Sequence, residues 1–104
     1  LYYYTSTADR ITSSSTLSLS TWYHIALCRS GTSTRMFING TQTGSTYTDS
    51  SNYLCGSTRP FIGINSYDVS LFNLNGYIDE LRITKGYARY TANFTVPTSA
   101  FSTK

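Results

Sequence analysis

Apolar and polar positions alternate along this chain in short runs. No stretch sustains the 3.6-residue apolar period of an amphipathic helix. Clusters of Gly, Asn and Ser separate the runs, which is the pattern of an all-β chain. "LYYYTS" at 1–6 predicts a strand, and "DRITSSSTLSLST" at 9–21 a short edge strand followed by a loop. The best run is "TWYHIALCRS" at 21–30. Trp22, His24, Ala26 and Cys28 share one face there, and Tyr23, Ile25, Leu27 and Arg29 the other. Both faces are partly apolar, so the run predicts an inner strand. "SGTS" then turns the chain into "TRMFING", with Met36 and Ile38 on one side and Arg35 and Phe37 on the other. Asn39-Gly40 is a hairpin signal, because a type I′ turn needs positive φ at both central residues. "TQTGSTYT" at 41–48 returns as a polar strand, "DSSNYLCGS" is a loop, and "RPFIGIN" at 59–65 is a further strand. Its Pro60 lies near the start, where a missing donor is tolerated.

After the loop "SYDVSLFNLN", the run "GYIDELRITK" at 76–85 predicts the last strand. Ile78 shares a face with Glu80 and Arg82, while Leu81 and Ile83 share one with Tyr77 and Asp79. The apolar phase therefore slips, and either both faces are covered or a bulge resets the register. Asp79, Glu80 and Arg82 then need partners, and an Arg fork can satisfy a carboxylate at two points.

Composition supports the all-β reading. The chain has 104 residues, enough for one domain. Charged residues make up 12%, aromatics 15%, with ten Tyr. Disordered chains are poor in aromatic and β-branched residues, whereas this composition suits sheets. The net charge is +3. Arg10, Arg29, Arg35, Arg59, Arg82 and Arg89 are scattered rather than clustered, which argues against a nucleic-acid partner. No apolar run reaches the length of a membrane-spanning helix, so membrane insertion is not expected. There is neither a signal peptide nor an initiating Met, which leads us to expect an origin within a longer or processed polypeptide. Cys28 and Cys55 with His24 are too few for a structural zinc site. Two free thiols and a disulfide both remain open.

"WYHIALCRSGTSTRMFINGTQTG" and "FNLNGYIDELRITKGYARYTANFTVPT" together span most of the chain. They resemble the central hairpin and the C-terminal stretch of laminin G-like, concanavalin A-type jelly-roll domains, in the version found in bacteriophage virion and tail proteins. The resemblance covers residues 21–98 and is most specific in the tail. Cys28 stands where that family has an aliphatic residue, which implies a buried position. The resemblance implies an antiparallel β-sandwich over residues 1–104. It also implies further apolar strands ahead of Leu1, so we expect this chain to be a portion of a larger domain. Asp79 and Arg82 match the closing-strand motif and are expected to form a polar lock. Tyr90 and Phe94 are expected to fold back over a sheet edge or the bottom of the core. Trp22, His24, Asn39 and Gly40 take structural roles in the central hairpin.

Catalytic chemistry finds little footing. Glycoside hydrolysis needs two suitably spaced carboxylates, yet Glu80 is the only Glu and Asp79 points away from it on a regular strand. A Ser nucleophile lacks a Gly-x-Ser-x-Gly turn, and His24 reads as a packed, hydrogen-bonded side chain. The expectation is a non-enzyme without a cofactor. The resemblance admits calcium, which takes several oxygen ligands. Asp49 and Asp68, helped by Asn52, Asn65 and backbone carbonyls, are the candidates, although the reading as ordinary turn formers is the stronger one. The sequons at Asn39 and Asn93 are incidental in a protein made in bacterial cytosol.

Sugar binding is the active reading. Exposed aromatics stack on sugars while Asn and Asp meet hydroxyls, in a cleft of the usual preformed kind. Asn52 and Tyr53 in one loop, with Asn65, Tyr67, Asp68, Asn73 and Asn75 in another, are the candidate ligand-binding residues. The expected role is a virion module on the outside of a phage tail or head, assembled in the host cytoplasm. It would bind a host-surface glycan and gain strength by multiplicity in a homo-oligomer. Two alternatives stay open: a purely structural virion subunit packed on its neighbours, and a cellular extracellular polysaccharide-binding module.

Overall fold

A computed structural model describes residues 1–5, 8–53, 61–64 and 73–101. Among them the chain is all-β and antiparallel, with five strands and no helix. β1 (Tyr2–Thr5) pairs with β2 (Ala8–Thr12). β3 (Ile25–Ser30), β4 (Ser33–Ile38) and β5 (Thr41–Thr48) form a second sheet in the order β3-β4-β5. The chain divides into two compact units: Leu1–Ser50 with Thr84–Ala100, and Ser51–Ile83 with Phe101–Lys104. All five strands belong to the first.

Both turns of the three-stranded sheet follow from their residues. Ser30 pairs with Ser33 across a two-residue turn in which Gly31 takes φ +58°. Ile38 pairs with Thr41 across Asn39 and Gly40, at φ +49° and +80°, the conformation that selects Asn-Gly for this turn.

The inner strand is β4, not β3. Lying between two partners, β4 buries residues on both faces: Thr34 and Met36 on one, Phe37 on the other. Among the described residues β3 is an edge of the sheet, and its Ile25 and Leu27 are exposed. Strand structure also begins only at Ile25, leaving Trp22 67% exposed ahead of it. Apolar residues on both faces therefore did not signify two neighbours in this strand among the described residues.

The two sheets meet through β2 and β5. Gly44, at φ +66°, lies against Ile11 and the Thr12 carbonyl, where no Cβ would fit. Buried Thr43 Oγ1 accepts the N–H of Ser14 at 3.0 Å and bonds the hydroxyls of Ser13 and Ser14. Ile11 is buried beneath this seam. The polar run after β2 thus joins the two sheets by hydrogen bonds above buried Ile11.

The second unit departs from the expected strands. Of residues 59–65, the described part supplies only an isolated antiparallel bridge, Ile64↔Asn73. Residues 76–85 form no strand. Asp79 Oδ1 accepts the N–H of Glu80 at 2.8 Å, and Glu80 takes φ +51°. A left-handed residue at that point interrupts extended backbone, and Tyr77, Ile78, Leu81 and Ile83 are exposed.

Candidate functional site

In the strand-bearing unit, His24, Asn39, Gly40 and Phe94, all given structural roles, converge on the β4–β5 turn, whereas Trp22 is 67% exposed. The N–H of Asn39 donates to the His24 carbonyl at 2.8 Å, and Asn39 Oδ1 accepts the His24 N–H at 2.9 Å. The tail reaches the same turn. Phe94 N–H donates to the Gly40 carbonyl at 2.9 Å, and Asn93 Oδ1 accepts the Gln42 N–H at 2.8 Å. The amide oxygens of both sequon asparagines are thus engaged by backbone N–H groups.

Rings complete the attachment. Tyr90 and Phe94 stack with centroids 3.4 Å apart and planes 6° from parallel. Phe37 meets Phe94 at 5.5 Å and 66°, and His24 meets Phe94 at 5.5 Å and 74°. Tyr90 and Phe94 therefore lie back over the Phe37 face of the sheet. His24 differs from its expected form: it precedes β3, its backbone carries the hydrogen bonds, and its buried Nδ1 has none among the described residues. Cys28 is a free, half-buried thiol on β3 paired with Arg35; Cys55 lies outside the described residues.

Asp79 and Arg82, expected to lock the closing strand to its neighbours, lie in a segment without strand structure. Asp79 is exposed and bonds its own neighbour, Glu80. Glu80 Oε2 accepts the Phe101 N–H at 2.7 Å, and the Arg82 guanidinium lies 3.7 Å from the Phe101 ring centroid. The Arg82–Phe101 geometry is a cation–π contact.

The candidate sugar-binding residues fall in the second unit. Asn52, Tyr53, Asn73 and Asn75 are exposed. Asn65, Tyr67 and Asp68 lie outside the described residues. Leu74 N–H donates to the Gly63 carbonyl at 2.8 Å beside the Ile64↔Asn73 bridge. That pair of contacts fixes the backbone carrying Asn73 and Asn75. Their side-chain amides make no hydrogen bond among the described residues, and Tyr77 just beyond is 88% exposed. Tyr77 was not among the expected ligand residues, because a strand assignment placed it on a packed face.

Asp49 follows β5; its N–H donates to the Thr32 carbonyl at 2.8 Å and its carbonyl accepts from Arg29 Nη2 at 2.6 Å. Among the described residues no group of three His, Cys, Asp or Glu side chains could hold a metal. A residue that sequence reasoning left out of any site is Tyr23, whose hydroxyl accepts the Ser18 N–H at 3.1 Å. That bond lowers its pKa below the ordinary tyrosine value.

Compared with known proteins, the chain matches over residues 1–90 the family model described as the concanavalin A-like lectin/glucanases superfamily. The match ends at Tyr90, so Asn93 and Phe94, which dock the tail, lie beyond it. Neither the curated proteins nor the solved structures searched give a significant match.

Proposed function

The chain belongs to the concanavalin A-like lectin/glucanases superfamily, and from that premise we propose that it is a non-catalytic carbohydrate-binding module. The observation that carries this reading is the presentation of Asn73 and Asn75. Their amides stand exposed and unbonded among the described residues, on backbone pinned by the Gly63–Leu74 and Ile64–Asn73 contacts, beside exposed Tyr77. Amides supply both donors and acceptors to sugar hydroxyls, and an exposed aromatic face suits a pyranose ring. Asn52 and Tyr53 are the further candidates of this unit. The non-catalytic part of the reading is supported by the carboxylates of Asp79 and Glu80, each of which accepts a backbone N–H rather than facing the other across a cleft.

The finer reading places the module on the exterior of a phage virion, binding a host-surface glycan weakly and many times over. The tail "YARYTANFT", similar to that of phage virion domains, supports it. The test is a glycan array probed with wild type and with an Asn73→Ala, Asn75→Ala variant. Binding by wild type and its loss in the variant are expected; wild-type levels in the variant would remove these residues from the site.

A second reading, a structural subunit packing on its neighbours, draws on the exposed Ile25 and Leu27 of edge strand β3. Sedimentation of wild type against Leu27→Lys distinguishes it, since only packing through that edge would be broken by the charge.

A further inference from the structure

Two irregularities in the strands bring an arginine and two tyrosines together in the strand-bearing unit. Between β1 and β2 the register passes from Tyr3↔Ile11 to Tyr4↔Asp9. Arg10 is therefore a bulged residue with no partner across the hairpin. Between β4 and β5 it passes from Thr34↔Tyr47 to Met36↔Thr43, so Gly44, Ser45 and Thr46 oppose Arg35 alone. Bulges re-aim side chains, and these two aim Arg10 and Tyr47 at each other. The Arg10 guanidinium lies 5.4 Å from the Tyr47 ring centroid. The Tyr3 ring lies 6.4 Å from that of Tyr47, at 59°. Arg29 belongs to the same place, because it pairs with Thr34, which pairs with Tyr47.

The Tyr3 hydroxyl feels this whole group. Burial raises its pKa most, Arg29 opposes the rise, Tyr47 and Asp49 add to it, and Arg10 opposes it. Two guanidinium groups against one carboxylate leave the cluster with a net positive charge. Arg29 is already engaged with the carbonyls of Asp49 and Gly31. Arg10 is different. Its Nε donates to Thr5 Oγ1 at 3.1 Å, which fixes the plane of the fork. Its two terminal amino groups have no hydrogen-bond or ion-pair partner among the described residues. Arg10, Tyr3 and Tyr47 are all half-buried, so an ion pair formed there would be less weakened by water than one on the open surface.

We propose that Arg10, framed by Tyr3 and Tyr47, binds the carboxylate of an acidic saccharide. The planar fork meets a carboxylate at two points, and the tyrosine hydroxyls can donate to or accept from neighbouring sugar hydroxyls. The class of ligand rests on the carbohydrate-binding reading; the residues do not, since none of them is among Asn52, Tyr53, Asn73 and Asn75.

Calorimetric titration of the 104-residue chain tests this with two acids, tetragalacturonate and sialyllactose, each beside its carboxyl-reduced form. At least one acid is expected to bind about tenfold more tightly than its reduced form, the scale of a hydrogen bond to a charged group. Arg10→Gln should abolish that preference, and Asn73→Ala with Asn75→Ala should leave the ratio unchanged. Equal binding of acid and reduced forms overturns this inference and leaves the carbohydrate-binding reading standing. Binding of neither form overturns both. An unaltered preference in Arg10→Gln removes Arg10 from the site. Should Arg10→Gln fail to fold, Arg10→Lys, which keeps the charge without the fork, and the NMR shift of the Arg10 Nε–H in wild type decide the matter. A preference undiminished in Arg10→Lys together with an unmoved Nε–H signal overturns the proposal.

Discussion

The backbone N–H of Phe94 donates to the carbonyl of Gly40 at 2.9 Å, joining the chain's tail to the tip of the β4–β5 hairpin. Gly40 is the natural residue there for two reasons that can be separated. Its φ of +80° disfavours any side chain, and a Cβ would overlap the Phe94 carbonyl oxygen. Gly31 shares only the first constraint, with φ +58° and nothing within 4 Å of an added Cβ. Gly31→Ala is therefore expected to cost roughly 1–2 kcal/mol, the left-handed penalty alone. Gly40→Ala should cost clearly more and speed hydrogen exchange at the Phe94 amide. Urea unfolding with exchange measurements checks both; equal costs would mean that the tail is indifferent to the turn.

Position in the sheet predicts a second contrast. Phe37 on the inner strand is 0% exposed, and Leu27 on the edge strand is 49% exposed. Phe37→Ala is expected to destabilise by about 3–5 kcal/mol, as a buried aromatic truncated to Ala does. Leu27→Ala should cost under about 1 kcal/mol, because much of its surface is in water already. A large loss at Leu27 in denaturant unfolding would show that this edge is covered in solution.

The hairpins were legible in the chain because their signals are local. Period-two alternation and Asn39-Gly40 are enough to place β4 and β5. The edge position of β3 was not, since residues 25–30 look alike whether one neighbour or two lie beside them. The irregular backbone at 76–85 includes Glu80 at φ +51°, between Ile78 and Leu81, where the apolar phase of the run slips; the slip left a bulge and two covered faces equally open, so the absence of a strand was not readable from it. Gly44 inside a polar strand is itself a bulge signal, and following it would have pointed towards Tyr47. Arg10 carries no such mark. Its bulge arises from how Tyr3 and Tyr4 pair, a non-local choice. The candidate sugar residues Asn73 and Asn75 were readable as polar loop positions, while Tyr77 was hidden by the strand assignment.

Asp79 offers a direct check on that assignment. In a buried pair, loss of one partner costs about 3–5 kcal/mol. Here the carboxylate is exposed and, among the described residues, accepts only the N–H of Glu80. Asp79→Ala is expected to cost no more than about 1 kcal/mol, the range of a local side-chain cap. A loss above that range in thermal or urea unfolding would restore the buried lock in a closing strand.

Tyr3 predicts a pH dependence of definite sign. Burial raises its phenol above the ordinary value of 10.0, with Arg29 and Arg10 opposing and Tyr47 and Asp49 reinforcing. A raised folded pKa means that the folded state favours the protonated phenol. Its contribution is fully present below the unfolded value and is lost as pH rises through the folded one. Tyr3→Phe keeps the ring and removes the proton. The stability of wild type relative to Tyr3→Phe should therefore be constant up to about pH 9 and fall towards about pH 11, where unperturbed tyrosines have ionised. Urea midpoints across this range provide the measurement. Parallel curves would mean that the Tyr3 hydroxyl is solvated in the folded protein and that the cluster around Arg10 does not enclose it.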